Sequence, residues 1–104
     1  MILLVLTTVA TRADADALAR AMVEQRLAAC AQISVIDSVY RWQGALQAEP
    51  EFRLLFKTLP ERYAALQAAL RECHPYQLPA IVGWTCDAAL PDFVDWVAGQ
   101  TQAG

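Results

Sequence analysis

The fold is decided by residues 30–58, CAQISVIDSVYRWQGALQAEPEFRLLFKT. Apolar and polar side chains are interleaved along this stretch, and Gln43-Gly44 near its middle is suited to a tight turn, because glycine accepts a positive φ. We predict a β-hairpin with strands at residues 30–42 and 46–58. Pro50 cannot donate a ladder hydrogen bond, so it predicts a bulge or an edge in the second strand.

The predicted hairpin is too long for the rest of the chain. Its first strand would span roughly 43 Å at ~3.3 Å per residue, about twice the usual ~17–20 Å of a strand. A compact domain of this size has a radius of gyration of only ~13 Å. The hairpin is therefore expected to overhang its own core and to offer unpaired backbone to another chain.

The residues before the hairpin predict a strand and a helix. Residues 2–6 are continuously apolar, as in a central strand covered on both faces, and Thr7 and Thr8 are predicted to end it at the surface. Thr11 and Asp14 have the spacing of a helix capping box. The following helix is predicted to lie on the sheet through an apolar stripe of Ala15, Leu18, Ala19, Met22, Val23 and Leu27.

The residues directly after the hairpin predict a second helix. Thr58 is its expected cap, Pro60 lies in its first turn, and His74-Pro75 ends it, because the residue before a proline is pushed out of helical geometry. A core-facing stripe is predicted at Leu59, Tyr63, Leu66, Leu70 and Cys73.

The last third of the chain predicts a strand at residues 80–86 and a short helix from Pro91, with a frayed tail at residues 99–104. The buried side of that helix is expected to carry Phe93, Trp96 and Val97. Residues 1–104 therefore form one domain in the order βαββαβ with an extra terminal helix. This order predicts an α+β, ferredoxin-like sandwich, with helices on one face of the sheet.

Composition excludes several classes of protein. The net charge is −3 and the basic residues are scattered singly, which argues against nucleic-acid binding, because that needs a clustered basic surface. The apolar run at residues 2–6 is far too short for a membrane span or a signal peptide. Three cysteines without a CxxC pair predict reduced thiols and a cytoplasmic location.

Four motifs, in this order, resemble the CutA divalent-cation-tolerance family. They are Leu27-Ala28-Ala29-Cys30, Ser38-x-Tyr40-x-Trp42-x-Gly44, Glu49 with Lys57-Thr58, and His74-Pro75-Tyr76-x-x-Pro79. The match covers roughly residues 2–97. The resemblance implies a ferredoxin-like subunit, a cytoplasmic homotrimer built through long hairpins and similar in plan to the PII signalling proteins, and a link to copper and other divalent metals. It implies no established catalytic reaction.

The resemblance also implies a metal site, although the chain departs from the family pattern there. Some members bind copper through a Cys at the end of the first strand and two successive His before the Pro-Tyr pair. The matching positions here are Thr7, Cys73 and His74. Thr is a poor ligand for a soft metal and Cys is a good one, so the site is expected to be altered. Ala80 stands where the family often has Glu, which removes a hard oxygen ligand or ion-pair partner.

Each of these metal candidates has a structural alternative. His74 is the only histidine, so a metal would need Cys73 and a carboxylate, or copies of His74 from neighbouring subunits. Alternatively, His74 caps the second helix by bonding to its carbonyls. Cys73 lies on the predicted apolar stripe, which favours core packing, and Cys30 and Cys86 are predicted to be buried thiols.

A second group of candidates surrounds the hairpin and comprises Tyr40, Trp42, Glu49, Lys57 and Tyr76. The aromatic residues are expected either to line an intersubunit cleft for a ligand or to be buried in the trimer seam. The charged residues, together with Glu51, are suited to acid–base or anion-binding roles in such a cleft. Cross-strand surface ion pairs explain the same charged residues and are the favoured alternative.

Two functional hypotheses follow. In the first, the chain is a non-catalytic, trimeric, metal-responsive protein that binds copper or a similar divalent ion. In the second, it is a small-molecule sensor similar to PII proteins, which passes its ligand state to an unidentified partner protein through the hairpins. No Gly-rich phosphate loop is present, which weakens a nucleotide version of this second hypothesis. An enzyme is not expected, because one histidine leaves little for acid–base work.

Overall fold

The computed structural model describes residues 1–102. Its strands are β1 (Leu3–Val9), β2 (Cys30–Trp42), β3 (Ala45–Thr58) and β4 (Ile81–Thr85), and its helices are α1 (Arg12–Glu24), α2 (Tyr63–Cys73) and α3 (Pro91–Gln100). A single 3₁₀ turn, Pro60–Arg62, precedes α2. Among the residues described, no helix combines the length and the apolar character that a membrane span requires.

The four strands form one antiparallel sheet in the order β2-β3-β1-β4. Helices α1 and α2 cover one face of this sheet, and the core lies between the sheet and these helices. Its fully buried members include Val5, Val9, Met22, Leu54, Phe56, Leu66 and Leu70. The helix α3 packs separately, through Val97 against Ile2 and Ala29. The predicted α+β, ferredoxin-like fold is confirmed.

The hairpin formed by β2 and β3 extends beyond the rest of the sheet, as predicted. The pairing of β3 with β1 stops at Val9 and Phe52, whereas the pairing of β2 with β3 continues to Trp42 and Ala45. Residues 36–51, which we call the overhang, therefore have no third strand. The chain measures 45 × 27 × 21 Å and its radius of gyration is 14.3 Å, larger than the ~13 Å of a compact domain.

The tight turn and the position of Pro50 are both consistent with the unbroken pairing of β2 and β3. Gln43 and Gly44 both have positive φ, 51° and 78°, the geometry that matches the twist of a two-residue hairpin. Pro50 pairs with Asp37 in an unbroken register, so the bulge predicted as one alternative is absent. Pro50 lies instead in the overhang, where β3 pairs with β2 on one edge and with no strand on the other. An edge without a neighbouring strand does not require the backbone N–H that proline lacks.

The sheet face turned away from α1 and α2 carries large apolar side chains. Gly83 faces the helices, because a Cβ on it would lie 3.0 Å from the Tyr63 ring of α2. Its neighbours in β4, Val82 and Trp84, point to the opposite face, where Trp84 is 45% exposed. This face is the one that a single chain leaves partly uncovered.

Two threonines that were predicted to end or cap elements are instead fully buried. Thr7 was expected to end its strand at the surface, but β1 continues to Val9 and Thr7 lies between Leu54 and Ile81 in the sheet. Thr58 was expected to cap the second helix, but its hydroxyl donates to the Leu27 carbonyl at 2.8 Å. Both predictions were wrong because distant segments supply the partners of these hydroxyls.

All three predicted apolar stripes end differently in the structure, and in α1 Val23 is exposed although it was predicted to lie on the buried stripe. In α2 the buried row steps by four from Leu66 to Leu70 and on to His74, so Cys73 is turned outward and is exposed. In α3 Val97 is buried, whereas Trp96 is 45% exposed and stacks on Phe93. Core packing of Cys73 and burial of Trp96 are therefore corrected.

The predicted fraying from residue 99 is also corrected. Helix α3 continues to Gln100, and Thr101 is buried with its hydroxyl donating to the Val97 carbonyl at 2.9 Å. That hydrogen bond satisfies a carbonyl in the last turn of the helix. Residues 103–104 of the predicted tail lie outside the described residues.

Candidate functional site

A cleft of about 860 Å³ lies beside the overhang, where residues 75–80 pass from α2 to β4. His74-Pro75 ends α2 and directs this connector past the end of β1 toward the hairpin. The two strands of the overhang form the other wall. The cleft is lined chiefly by Asp37, Tyr40, Trp42, Glu49, Glu51, Tyr76 and Leu78.

One tyrosine–glutamate pair lies on the exposed part of the hairpin. Glu49 is directly opposite Ser38 in the register, so it lies diagonally across from Tyr40 on the same face. The Tyr40 hydroxyl donates to Glu49 Oε1 at 2.5 Å. This hydrogen bond to the carboxylate raises the pKa of Tyr40 to about 12. The phenol therefore stays protonated and holds the carboxylate in place.

A second tyrosine–glutamate pair lies deeper in the cleft. The Tyr76 hydroxyl donates to Glu51 Oε2 at 2.6 Å, and Glu51 is only 5% exposed. Burial raises the pKa of Tyr76, and the hydrogen bond to Glu51 raises it further. The connector and β3 are thereby joined by a hydrogen bond to a buried carboxylate, which is stronger than one between neutral groups.

His74 holds the connector to β1. Its Nε2 lies 3.0 Å from Thr7 Oγ1, and its Nδ1 accepts a hydrogen bond from the Tyr76 backbone N–H at 3.1 Å. Because Nδ1 is an acceptor, we assign the neutral tautomer in which Nε2–H donates to Thr7. The ring also contacts the Tyr76 ring at a centroid distance of 5.1 Å. His74 thus orients Tyr76. The alternative prediction, that His74 caps α2 by bonding to the carbonyls of that helix, is corrected.

The predicted metal site of Thr7, Cys73 and His74 does not fit a copper ion within one chain. Both ring nitrogens of His74 are already hydrogen-bonded, and the side chain is only 8% exposed. Cys73 is exposed at the end of α2. Within residues 1–102, no group of three or more His, Cys, Asp or Glu side chains could hold a metal ion. The structure brings Thr7 and His74 together for hydrogen bonding.

The predicted ligand-binding residues divide into two groups. Four of the five line the cleft, namely Tyr40, Trp42, Glu49 and Tyr76. The fifth, Lys57, lies at the other end of β3, opposite Cys30 and Leu4, and donates to Gln32 Oε1 at 3.1 Å. Glu51 proves to be the most buried acidic side chain of the cleft. Its position two residues from Glu49 on one strand face was the available signal, whereas nothing in the sequence pointed to Asp37 or Leu78.

We expect the fold to lose stability as the pH falls below about 6.5, the ordinary pKa of histidine. Burial lowers the pKa of His74, although interaction with the Thr8 backbone and the nearby carboxylates of Asp14 and Glu51 oppose the shift. The unfolded chain therefore binds a proton more readily than the folded chain does. The free energy of unfolding then decreases as the pH drops from the unfolded pKa toward the lowered, folded pKa.

The measurement is the urea midpoint of unfolding at about pH 7.5 and about pH 5.5, on either side of that pKa. His74→Gln, which does not titrate, is the control for all the other groups that do. The wild type should lose more stability between the two pH values than the variant loses at the same protein concentration. Equal losses would show that His74 contributes nothing to the pH dependence.

Comparisons with known proteins identify relatives of this chain. The family model of the CutA1 divalent ion tolerance protein matches residues 3–100. The divalent-cation tolerance protein CutA of Thermus thermophilus is 37% identical over 98 residues, which are 93% of this chain and 95% of that protein.

Solved structures of such proteins share the fold over nearly their whole length. CutA from Synechococcus elongatus is 44% identical with a TM-score of 0.94, over 97% of this chain and 90% of that one. A structure described as the periplasmic divalent cation tolerance protein CutA from Archaeoglobus fulgidus is 28% identical with a TM-score of 0.94, over 98% and 100% of the two chains. The chain belongs to the CutA1 divalent ion tolerance family.

Proposed function

We propose that this protein acts in divalent-cation tolerance as a homotrimeric sensor. Three chains associate through their hairpins, and the cleft beside each hairpin binds the small molecule to which the trimer responds. The observation that supports this proposal best is the overhang, which pairs with nothing else in its own chain. No catalytic step is included, since the family resemblance implies no established reaction.

The overhang needs a partner for two physical reasons. Its outer backbone edges are unpaired, and such edges invite association unless they are covered. Its side chains are also apolar where a free surface would be polar, since Val39 and Leu46 are each 69% exposed. Closed cyclic association covers these surfaces without producing fibres, and the family resemblance favours three chains.

The cleft supports the sensor part of the proposal. In the single chain its volume is about 860 Å³, within the ~300–1,000 Å³ of pockets that hold small molecules. The cleft adjoins the overhang, so a bound ligand would lie at the place where the chains meet. A ligand could therefore change the surface that the trimer offers to a partner protein.

The mass of the protein in solution tests the assembly. Light scattering at micromolar concentration should give three times the chain mass of 11.4 kDa. Introducing aspartate at both Val39 and Leu46 should weaken the assembly, whereas aspartate at Val23, an exposed position on α1, should leave it intact. A monomeric wild type would refute the proposal.

A cytoplasmic location is part of the proposal. It is supported by Cys30, Cys73 and Cys86, which are all free thiols, because reduced thiols persist in the cytoplasm. The relative from Archaeoglobus fulgidus is described as periplasmic, so fractionation of the source cells is the direct test. Recovery with periplasmic markers would contradict this part.

Direct binding of copper or another divalent cation is the second candidate function. The observation in its favour is the exposed thiol of Cys73, a soft donor of the kind that Cu(I) selects. The other ligands would come from neighbouring chains of the trimer. Anaerobic titration with Cu(I) should then show a stoichiometric site that Cys73→Ser abolishes and His74→Gln leaves in place. A wild type that binds no copper would exclude this candidate.

A further inference from the structure

We propose that the ligand of the cleft is a small organic cation, with an ammonium head group carried on an apolar body. This inference rests on the proposed function, in which the cleft is a ligand site, and adds the chemical class of the ligand. The cleft combines carboxylates with aromatic faces, a combination that suits such a cation better than an anion, a neutral molecule or a bare metal ion.

The cleft carries negative charge. Three of its lining residues are acidic: Glu49 and Glu51 project from the hairpin face that carries Tyr40, and Asp37 projects from the opposite face. Among the described residues that line it, none is Lys, Arg or His. An anion would therefore meet carboxylates with no cation to offset them, whereas a cation would be attracted.

The same cleft also contains three aromatic side chains. Tyr40, Trp42 and Tyr76 all line it, and Tyr40 and Trp42 are on one face of β2, two residues apart. The faces of aromatic rings carry negative potential and attract organic cations, with Trp the best of the three types. A neutral ligand would use these rings only for apolar contact.

Two carboxylates of the cleft are held in position by the phenols. Tyr40 donates to one oxygen of Glu49, and Tyr76 donates to one oxygen of Glu51. A carboxylate has four lone-pair sites and keeps its negative charge when a phenol donates to it, so each of the two can still attract an ammonium group, with or without an N–H. The carboxylates therefore need little rearrangement when a cation binds, which lowers the entropic cost of binding.

A bare metal ion fits the cleft less well than an organic cation does. Within residues 1–102 the carboxylates do not form a cluster of three that could hold a metal ion. A metal ion would also leave the aromatic faces and most of the volume of about 860 Å³ unused. An ammonium ion with an apolar body uses the carboxylates, the aromatic faces and the volume together.

The test compares two probes of the same shape that differ in charge. Choline and 3,3-dimethyl-1-butanol, its uncharged analogue with carbon in place of nitrogen, are titrated calorimetrically into the full-length, assembled protein. We expect choline to bind at least about tenfold more tightly than the analogue. Glu51→Gln, which keeps an acceptor for Tyr76 but removes the charge, should weaken choline binding by about the same factor.

Two further variants keep the test informative. Glu49→Gln removes the charge of the other phenol-bound carboxylate, which is exposed. This variant takes the place of Glu51→Gln in the test if Glu51→Gln impairs folding. Glu72→Gln, on the exposed side of α2, removes a charge outside the cleft and should leave choline binding unchanged.

The outcomes distinguish whether the cleft is a ligand site from whether its ligand is a cation. If the neutral analogue binds as tightly as choline, the cleft remains a ligand site, but the cationic class is overturned. If choline binds and the effects of Glu51→Gln and Glu72→Gln are equal, the cation lies elsewhere and the inference is also overturned. If neither probe binds, the inference fails, and the light-scattering result decides whether the trimer stands without it.

Discussion

Replacing Phe56 by alanine is expected to lower the free energy of unfolding by about 3–5 kcal/mol, the largest effect of any single substitution considered for this chain. Phe56 is fully buried and is the largest of the completely buried side chains. It lies on β3, between Val5 of β1 and Ala31 of β2. Because strands flank it on both sides and helices cover it, the cavity left by truncation cannot easily collapse.

Phe52 provides the matched control for this substitution. It lies four residues earlier on the same face of β3, but it is only partly buried and its ring contacts the Arg12 guanidinium. Phe52→Ala should therefore cost clearly less than Phe56→Ala in urea unfolding at one fixed protein concentration. Equal losses for the two variants would contradict the placement of the core beneath the helices.

The second large effect is expected from Tyr76→Phe, which should lower the free energy of unfolding by about 1.5–3 kcal/mol. The substitution removes only the hydroxyl that donates to Glu51. Glu51 is 5% exposed and meets water only through the cleft, so water replaces the lost hydrogen bond less fully than it would at an exposed carboxylate. Leaving a buried charged acceptor without its donor costs more than the bond itself contributes.

The other tyrosine–glutamate pair makes this prediction specific. Tyr40→Phe removes the same kind of hydroxyl from Glu49, but Glu49 is exposed and water can take the place of the phenol. Thermal and urea unfolding should therefore show no measurable loss for Tyr40→Phe. If the two Tyr→Phe variants behave alike, burial of Glu51 is not what makes the deeper pair important.

The parts of the fold that the sequence predicts well are those set by local pattern or by length. The hairpin follows from a run of extended residues around Gln43-Gly44, and its overhang follows from comparing its length with the size of the domain. The start of α1 follows from a local cap, since the Thr11 hydroxyl accepts the Asp14 N–H at 3.1 Å. These features depend on neighbours in the sequence.

The parts that failed depend on partners far away in the sequence. Thr7 and Thr58 have the appearance of surface residues, but their hydroxyls contact His74 and the Leu27 carbonyl, 67 and 31 residues away. No periodicity in the chain reveals such contacts. Cys73 was misplaced for a different reason, because an offset of three and an offset of four fit a helical stripe almost equally well.

The candidate site could be predicted only in part: Lys57 was predicted but does not line the cleft, nothing pointed to Asp37 or Leu78, and the arrangement of the side chains was not predicted. The motif resemblance pointed to Tyr40, Trp42, Glu49 and Tyr76, and all four line the cleft. The hydrogen bonds that pair the phenols with the carboxylates depend on the path of the connector, residues 75–80, over the sheet. That path is set by His74, whose two ring nitrogens hold Thr7 and the Tyr76 backbone.

The account depends most on the claim that neighbouring chains cover the overhang, and hydrogen exchange of its backbone amides tests this directly. In a single chain, the amides that point outward from residues 36–51 have no strand to accept their hydrogen bonds. At concentrations where the protein assembles, we predict that these outward amides exchange slowly, and that dilution below the assembly concentration removes their protection. Fast exchange of the outward amides at every concentration would contradict the account.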